Sequence, residues 1–153
     1  MRIAIAADHN GLEIKARLVE RLSAAGHELD DRGVHGEGTV DYPPLCEDVC
    51  RQVTEGPADR GIVVGGSGAG EAVACNKMRG IRAGLCSDPF TTEISRANND
   101  SNVLVLGAKV VPAELADELV DIWLRTPFRG GVHQRRIDMI AALERGETLL
   151  GGC

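Results

Sequence analysis

Short apolar runs alternate with amphipathic stretches along the whole chain, and this alternation predicts the fold class. Residues 2–7 form an Ile- and Ala-rich run with β character, broken by Asp8-His9-Asn10-Gly11. Ile14, Leu18, Leu22 and Ala25 then recur at helical spacing until Gly26 ends the stripe. A short strand is predicted at 27–30, and a polar, glycine-bearing loop at 33–41. Tyr42-Pro43-Pro44 leads into a helix ending near Gly56. Residues 61–64 are the third strand, followed by a glycine-rich turn and a helix through Lys77. The fourth strand covers 82–86, and Asp88-Pro89 reads as the cap and first residue of the next helix. The fifth strand covers 102–106. Ala116, Leu119, Val120 and Trp123 mark the inward face of the helix after it, and a last helix runs from about 133 to 145. The tail over 148–153, ending Gly151-Gly152-Cys153, is expected to fray.

Strands separated by helices imply an α/β protein: a parallel sheet covered on both faces, with right-handed crossovers. In such folds ligands collect at the carboxyl ends of the strands, near the switch point in strand order. Asp8-His9, the glycine loop, Ser87-Asp88 and Gly107 all follow strands, so they are expected on that edge. No internal repeat or second domain is visible, and residues 1–153 read as one domain.

The net charge of −6 argues against nucleic acid or an anionic membrane as main partner. An anionic ligand would have to be held by local Arg, His and backbone donors against that field. With aromatics at 3%, the core must be built from Val, Ile, Leu and Ala. No leader pattern and no apolar run of bilayer length is seen. The five cysteines lack C-x-x-C spacing, with Cys46, Cys50, Cys75 and Cys86 reading as small buried residues and Cys153 as a tail thiol. A cytoplasmic protein without a cysteine metal site is expected.

The candidate chemistry lies in Val63-Val64-Gly65-Gly66-Ser67-Gly68-Ala69-Gly70-Glu71. An apolar strand runs into glycines and a serine, then into a helix whose first turn carries a carboxylate. Glycines let several N–H groups approach one anionic centre, and the helix start adds its own unpaired donors. A glutamate beside such a cradle suits a general base acting on a substrate that forms an oxyanion. The bland alternative is a tight turn with a helix-start Glu that only suits the dipole. Other templates fit badly. A dinucleotide fingerprint needs its third glycine where Glu71 stands, and no P-loop Lys-Ser/Thr follows Gly70. A nucleophile elbow fails at Ala69. What remains is an anion-binding loop with a carboxylate base and no cofactor signature.

Several stretches together resemble one family, the type B ribose-5-phosphate isomerases, which also includes galactose-6-phosphate and allose-6-phosphate isomerases. They are Ala7-Asp8-His9-Asn10-Gly11, Asp41-Tyr42-Pro43, the glycine loop through Glu71, Asn76-Lys77 with Gly80-Ile81-Arg82-Ala83, Asn99-Asp100-Ser101-Asn102-Val103, and His133-Gln134-Arg135-Arg136. The resemblance runs in order along nearly the whole chain. It implies a Rossmann-like three-layer sandwich with a five-stranded parallel sheet, a homodimer or dimer of dimers with shared active sites, and aldose–ketose isomerisation without metal or cofactor. The last helix would pack at a subunit interface.

In that family the base is a cysteine at the start of the glycine loop or a glutamate at its end. Gly65 stands at the cysteine position here, so the chain resembles the glutamate branch, with Glu71 as base. Ser67 and the loop N–H groups of Gly66, Gly68, Ala69 and Gly70 would hold the developing oxyanion. Asp8 and His9 match the substrate-binding pair, Tyr42 a pocket-lining residue, and Arg136 a phosphate-binding arginine; Asn99 and His133 match further substrate contacts. As plain residues, Asp8 and His9 could instead be loop and surface groups, Tyr42 an amphipathic ring before Pro43, and Arg136 and His133 solvated helix residues. Three positions depart from the pattern. The ring-opening histidine is Asn98, an arginine after the fifth strand, reached from the partner subunit, is Lys109, and an arginine before the His-Gln pair is Val132. Asparagine cannot shuttle protons as histidine does, lysine lacks the bidentate fork, and valine has no charge.

Ribose 5-phosphate with ribulose 5-phosphate is therefore the expected substrate pair. A tetrose phosphate such as erythrulose 4-phosphate is the alternative that Asn98 motivates, because a four-carbon 4-phosphate aldose has no furanose to open. Hexose 6-phosphates are a further possibility. From other classes, the chain could be a sugar-phosphate-binding partner subunit, or a serine hydrolase if His133 reaches Ser67.

Overall fold

The structure, a computed structural model, describes residues 1–34 and 38–150. The expected fraying at Gly151-Gly152-Cys153, and residues 35–37 of the predicted loop, lie outside the described residues. In chain order the elements are β1 (Arg2–Ala7), α1 (Leu12–Ala24), β2 (Glu28–Asp31), α2 (Tyr42–Thr54), β3 (Arg60–Gly65), α3 (Ala69–Cys75), β4 (Ala83–Leu85), α4 (Pro89–Ala97), β5 (Val103–Gly107), α5 (Ala113–Arg125) and α6 (Val132–Glu144). The five strands form one parallel sheet in the order β2-β1-β3-β5-β4.

The inner strands β1, β3 and β5 are buried on both faces, which is why they read as continuous apolar runs. Their side chains alternate between two cores. Ile3, Ile5, Ile62, Val64, Leu104 and Leu106 pack with α1 and α5, around Leu18, Leu22, Leu119 and the fully buried Trp123. Ala4, Ala6, Val63, Val103 and Val105 face α2 and α3, where Cys46, Val49, Cys50 and Cys75 lie. Each large aliphatic side chain so buried contributes about 1.5–3 kcal/mol. The four described cysteines are all buried and free, as their neighbours in sequence suggested.

The differences from the predicted elements have local causes. The edge strand β2 is polar and only partly buried, so its pattern is weak and it starts one residue later than predicted. Ala25 is exposed at the end of α1 rather than on its buried face. Helix α3 stops at Cys75, because the Asn76 side chain leaves the helix to bond β4: its Nδ2 donates to the Ala83 carbonyl at 3.0 Å and its Oδ1 accepts from Ala83 N–H at 2.9 Å. Strand β4 begins after Arg82, whose N–H donates to Asn102 Oδ1 at 2.8 Å.

Strands β1 and β3 are neighbours, yet the chain leaves β1 towards β2 on one side and continues from β3 towards β5 and β4 on the other. That reversal makes the crevice beyond their carboxyl ends the natural ligand position. Asp8 follows β1 and the glycine loop follows β3, so both lie there.

Candidate active site

Asp8 is 6% exposed at the end of β1, and both of its carboxylate oxygens are engaged, with room on Oδ2 for a further donor. Its N–H donates to the Val64 carbonyl at 3.1 Å, tying the β1 and β3 ends together. Its Oδ1 accepts from the N–H groups of Asn10 at 2.8 Å and Gly11 at 3.2 Å, while Oδ2 accepts from Asn10 Nδ2 at 2.9 Å. The same amide lies 3.2 Å from His9 Nε2, and the Val40 N–H lies 3.5 Å from His9 Nδ1. A neutral imidazole has a single acceptor nitrogen, so the ring can take only one of these bonds, and the Asn10 contact is the shorter. Asn10 thus links Asp8 to His9 and also lies against Gly66, where an added Cβ would meet its Nδ2 at 3.2 Å. No role was assigned to Asn10 from the sequence; its place beside Asp8 in a strand-end turn was the available signal.

The glycine loop is clasped from β5, since the Gly65 and Gly66 carbonyls accept from the N–H groups of Ala108 at 2.8 Å and Lys109 at 2.9 Å. Gly68 caps α3 with φ of 78°, a left-handed conformation that glycine adopts without steric cost. Ser67 Oγ accepts from the Ala69 N–H at 3.3 Å, so of the expected donors Ala69 is already engaged. The N–H groups of Gly66, Ser67, Gly68, Gly70 and Glu71 bond to no acceptor among the described residues. Helix α3 has only seven residues, so these loop donors, rather than a long helix dipole, are what the loop could offer an anion. Tyr42 packs its ring on this loop, because a Cβ at Gly70 would stand 2.6 Å from the phenol carbon and oxygen.

Glu71 is 4% exposed, in the first turn of α3. Its carboxylate fills the volume that a side chain at residue 65 would need, since a Cβ there would fall 1.9 Å from Glu71 Oε1. Gly65 is therefore the vacancy into which the glutamate folds. A buried carboxylate, unprotonated, beside a set of free N–H donors can take a proton from carbon while the donors hold the oxygen that becomes negative.

Of the remaining predicted residues, only Lys109 is at this edge, held there by its backbone. Asn98 caps the end of α4 and Asn99 precedes β5, so both lie at the amino ends of the strands. Across five residues of β5, at about 3.3 Å each, that is on the order of 15 Å from the glycine loop. Arg129 donates from its N–H to the Ala97 carbonyl at 3.0 Å and from Nη1 to Asn98 Oδ1 at 3.4 Å, drawing the start of α6 to the same edge. His133 and the exposed Arg136 lie in the first turns of that helix. Within one chain His133 therefore forms no dyad with Ser67. Lys109, expected from across a subunit boundary, has its backbone bonded to its own chain's loop. One chain thus carries two separated groups of predicted residues, on opposite edges of its sheet.

A groove of about 810 Å³ lies between β4, α4 and α6, lined by Leu85, Phe90, Ile94, Ile140 and Leu143, with Asn99 among its walls. Phe90 is 71% exposed and Leu143 54%, so apolar surface here faces outward.

Neither Cys75 nor Cys86 competes for the role of base. Cys75 is pushed far up, first by its hydrogen bonds with Cys46 and Cys50 and then by burial, and burial raises Cys86. Both stay thiols. Among the described residues no cluster of three His, Cys, Asp or Glu side chains has metal-holding geometry, and no helix is long and apolar enough to cross a membrane.

Residues 3–140 match the sequence profile of the family described as Ribose/Galactose Isomerase. The chain belongs to this family. Ribose-5-phosphate isomerase B of Escherichia coli K12 is 41% identical over 144 residues, covering 94% of this chain and 97% of that protein. The structure of ribose-5-phosphate isomerase B from Clostridium thermocellum superposes with a TM-score of 0.94 at 41% identity, covering 95% of this chain and 99% of that one. The Mycoplasma genitalium enzyme of the same name, with bound ribulose-5-phosphate, gives 0.90 at 34% identity, over 94% and 96% of the two chains. The fold and its ribose/galactose isomerase membership thus agree with the resemblance carried by the motifs.

Proposed function

We propose that this chain isomerises a small phosphorylated aldose and its ketose through a 1,2-enediolate, with Glu71 as base and without a metal or cofactor. The observation that carries this reading is the Glu71 carboxylate held in the space above Gly65, beside loop N–H groups with no other acceptor. Glu71 takes the proton from the carbon next to the carbonyl, and the electron pair moves onto the carbonyl oxygen. The loop donors and Ser67 stabilise that oxyanion, the proton of the adjacent hydroxyl passes to it, and the protonated Glu71 delivers its proton to the former carbonyl carbon as the new carbonyl forms at the neighbouring one. Asp8 accepts from a sugar hydroxyl while Tyr42 walls the pocket. His9, Lys109, His133 and Arg136 supply positive charge or donors for the phosphate, Arg136 with the bidentate fork.

The two groups of residues on opposite edges support an active site shared between two copies. In a twofold dimer each copy would offer its glycine loop to the other's Asn98-Asn99 turn and α6, in two equivalent sites. The outward apolar faces of Phe90, Ile140 and Leu143 suit that contact.

Ribose 5-phosphate with ribulose 5-phosphate is the substrate pair we propose, supported by the relatives' names and the ribulose-5-phosphate in the Mycoplasma structure. Asn98 favours a second reading, a tetrose phosphate that needs no ring opening. Turnover of C4, C5 and C6 aldose phosphates by the purified protein tests both. Higher kcat/KM on ribose 5-phosphate supports the pentose, higher kcat/KM on erythrose 4-phosphate the tetrose, and inactivity on the whole panel would overturn the enzymatic reading.

A further inference from the structure

The turn from α4 into β5 is held far more firmly than a surface connection requires. Asp100 has φ of 45°, the one positive value at a non-glycine residue among those described. Such a conformation persists where surrounding contacts over-determine it. Two guanidinium groups do so here. Arg82 donates from Nε to the Asn99 carbonyl at 3.1 Å and the Asp100 carbonyl at 3.0 Å, and from Nη2 to the Asp100 carbonyl at 2.8 Å and its Oδ2 at 2.9 Å. Arg96, buried and 5.9 Å from the Trp123 ring centre, donates to Asp100 Oδ1 at 2.8 Å and to the Ser101 carbonyl at 2.6 Å. Below them the Ser101 hydroxyl accepts from Trp123 Nε1 at 2.8 Å and pairs with Ser95 Oγ at 2.5 Å.

Three successive carbonyls are therefore fixed from inside the chain, and the turn cannot swivel. Its outer side is the opposite: Asn99 is exposed, and its carboxamide has no partner among the described residues. A turn that served only to join α4 to β5 would need the inner contacts without a free amide projecting beside an apolar groove.

We propose that Asp100 and Arg82 are positioning residues, which hold the Asn98-Asn99 carboxamides at a fixed angle for the glycine loop of a second copy. This rests on the shared-site reading above. The clamp acts through the backbone: Asp100 keeps the left-handed bend, and the Arg82 fork spans the Asn99 and Asp100 carbonyls. Asparagine tolerates the same bend and keeps one acceptor oxygen, whereas alanine loses both properties. A lost clamp leaves the carboxamides mobile, so the cost falls on turnover, where misplacement by about 1 Å reaches 10²-fold.

The test compares Asp100→Ala, Asp100→Asn, Arg82→Met and Asn99→Ala with the wild type, using kcat and KM on ribose 5-phosphate and sedimentation for assembly. Arg82→Met guards against misfolding of the Asp100 variants, because Arg82 is partly exposed and leaves the core intact. The expected result is a kcat about 10-fold or more lower in Asp100→Ala and Arg82→Met, in dimers of wild-type mass, with most of the rate recovered in Asp100→Asn. Wild-type kcat in Asp100→Ala and Arg82→Met while Asn99→Ala is impaired would overturn the clamp and leave the shared site standing. Wild-type kinetics in Asn99→Ala would overturn both, since there would be no carboxamide to position.

Discussion

At the scale of single residues, the central contact is between Gly65 and Glu71. A carboxylate in the volume of a missing side chain makes the two positions interdependent: residue 65 can carry a side chain only if Glu71 moves. Glu71→Gln preserves shape and removes the basic oxygen, so kcat should fall at least about 10²-fold with KM little changed. Steady-state kinetics check this, and comparable turnover would remove Glu71 from the mechanism. Gly65→Ala tests the same contact from the other side. With a Cβ otherwise 1.9 Å from Oε1, the carboxylate must shift, and kcat should drop on the order of 10- to 100-fold in a folded protein. The proposed substrate choice is tested at Asn98. If pentose turnover is limited by ring opening, Asn98→His should raise kcat/KM for ribose 5-phosphate by on the order of 10²-fold and leave an open-chain tetrose phosphate unaffected. An equal effect on both sugars would show that residue 98 does not act on the ring.

At the scale of elements, strands and helices were largely legible because their burial is simple. The runs in β1, β3 and β5 are apolar on both faces, and α5 buries the stripe of Ala116, Leu119, Val120 and Trp123 that its spacing announced. Element ends were less legible, because side chains from elsewhere decide them: Asn76 ends α3 by bonding β4, and Asn102 takes the Arg82 N–H out of the ladder. Strand order was not legible at all, since it follows from how helices pack across the sheet. The start of α4 is an instance where local chemistry suffices. Asp88 Oδ1 accepts from the Thr91 N–H at 2.9 Å, with Pro89 at the first helical position. The backbone and hydroxyl bonds from Thr91 hold the Asp88 carboxyl below its ordinary 3.8. A depressed native value means its stabilisation is present above that ordinary value and is lost as pH falls through the native one. Asp88→Ala should therefore lower Tm at neutral pH, and the gap from wild type should close as the pH drops below about 4. Thermal melts across that range measure it, and a gap independent of pH would assign the loss to something other than the charged cap.

At the scale of the whole molecule, half of the candidate site was legible and half was not. The glycine loop, Glu71 and Asp8 all follow strand ends, so their shared edge could be read from the alternation of elements, while the adjacency of β1 and β3 could not. Asn98, Asn99, His133 and Arg136 carry no such signal, because in one chain they lie at the other edge of the sheet. A sequence pattern reports neighbours within a chain, while these residues find their proposed neighbours only across a twofold axis. The contact of Glu71 with Gly65 and the bridging by Asn10 depend on side-chain direction, which spacing alone does not specify. The most direct measurement of the shared site is complementation. Chains bearing Glu71→Gln and chains bearing Arg136→Ala, each inactive or nearly so alone, are mixed by joint refolding and assayed on ribose 5-phosphate. In a hybrid dimer one site collects both substitutions and the other collects neither, so random pairing should restore about one quarter of the wild-type specific activity. Activity no higher than the average of the two parents, in a mixture shown to contain hybrid dimers, would mean that each site is built from a single chain and would contradict the shared arrangement.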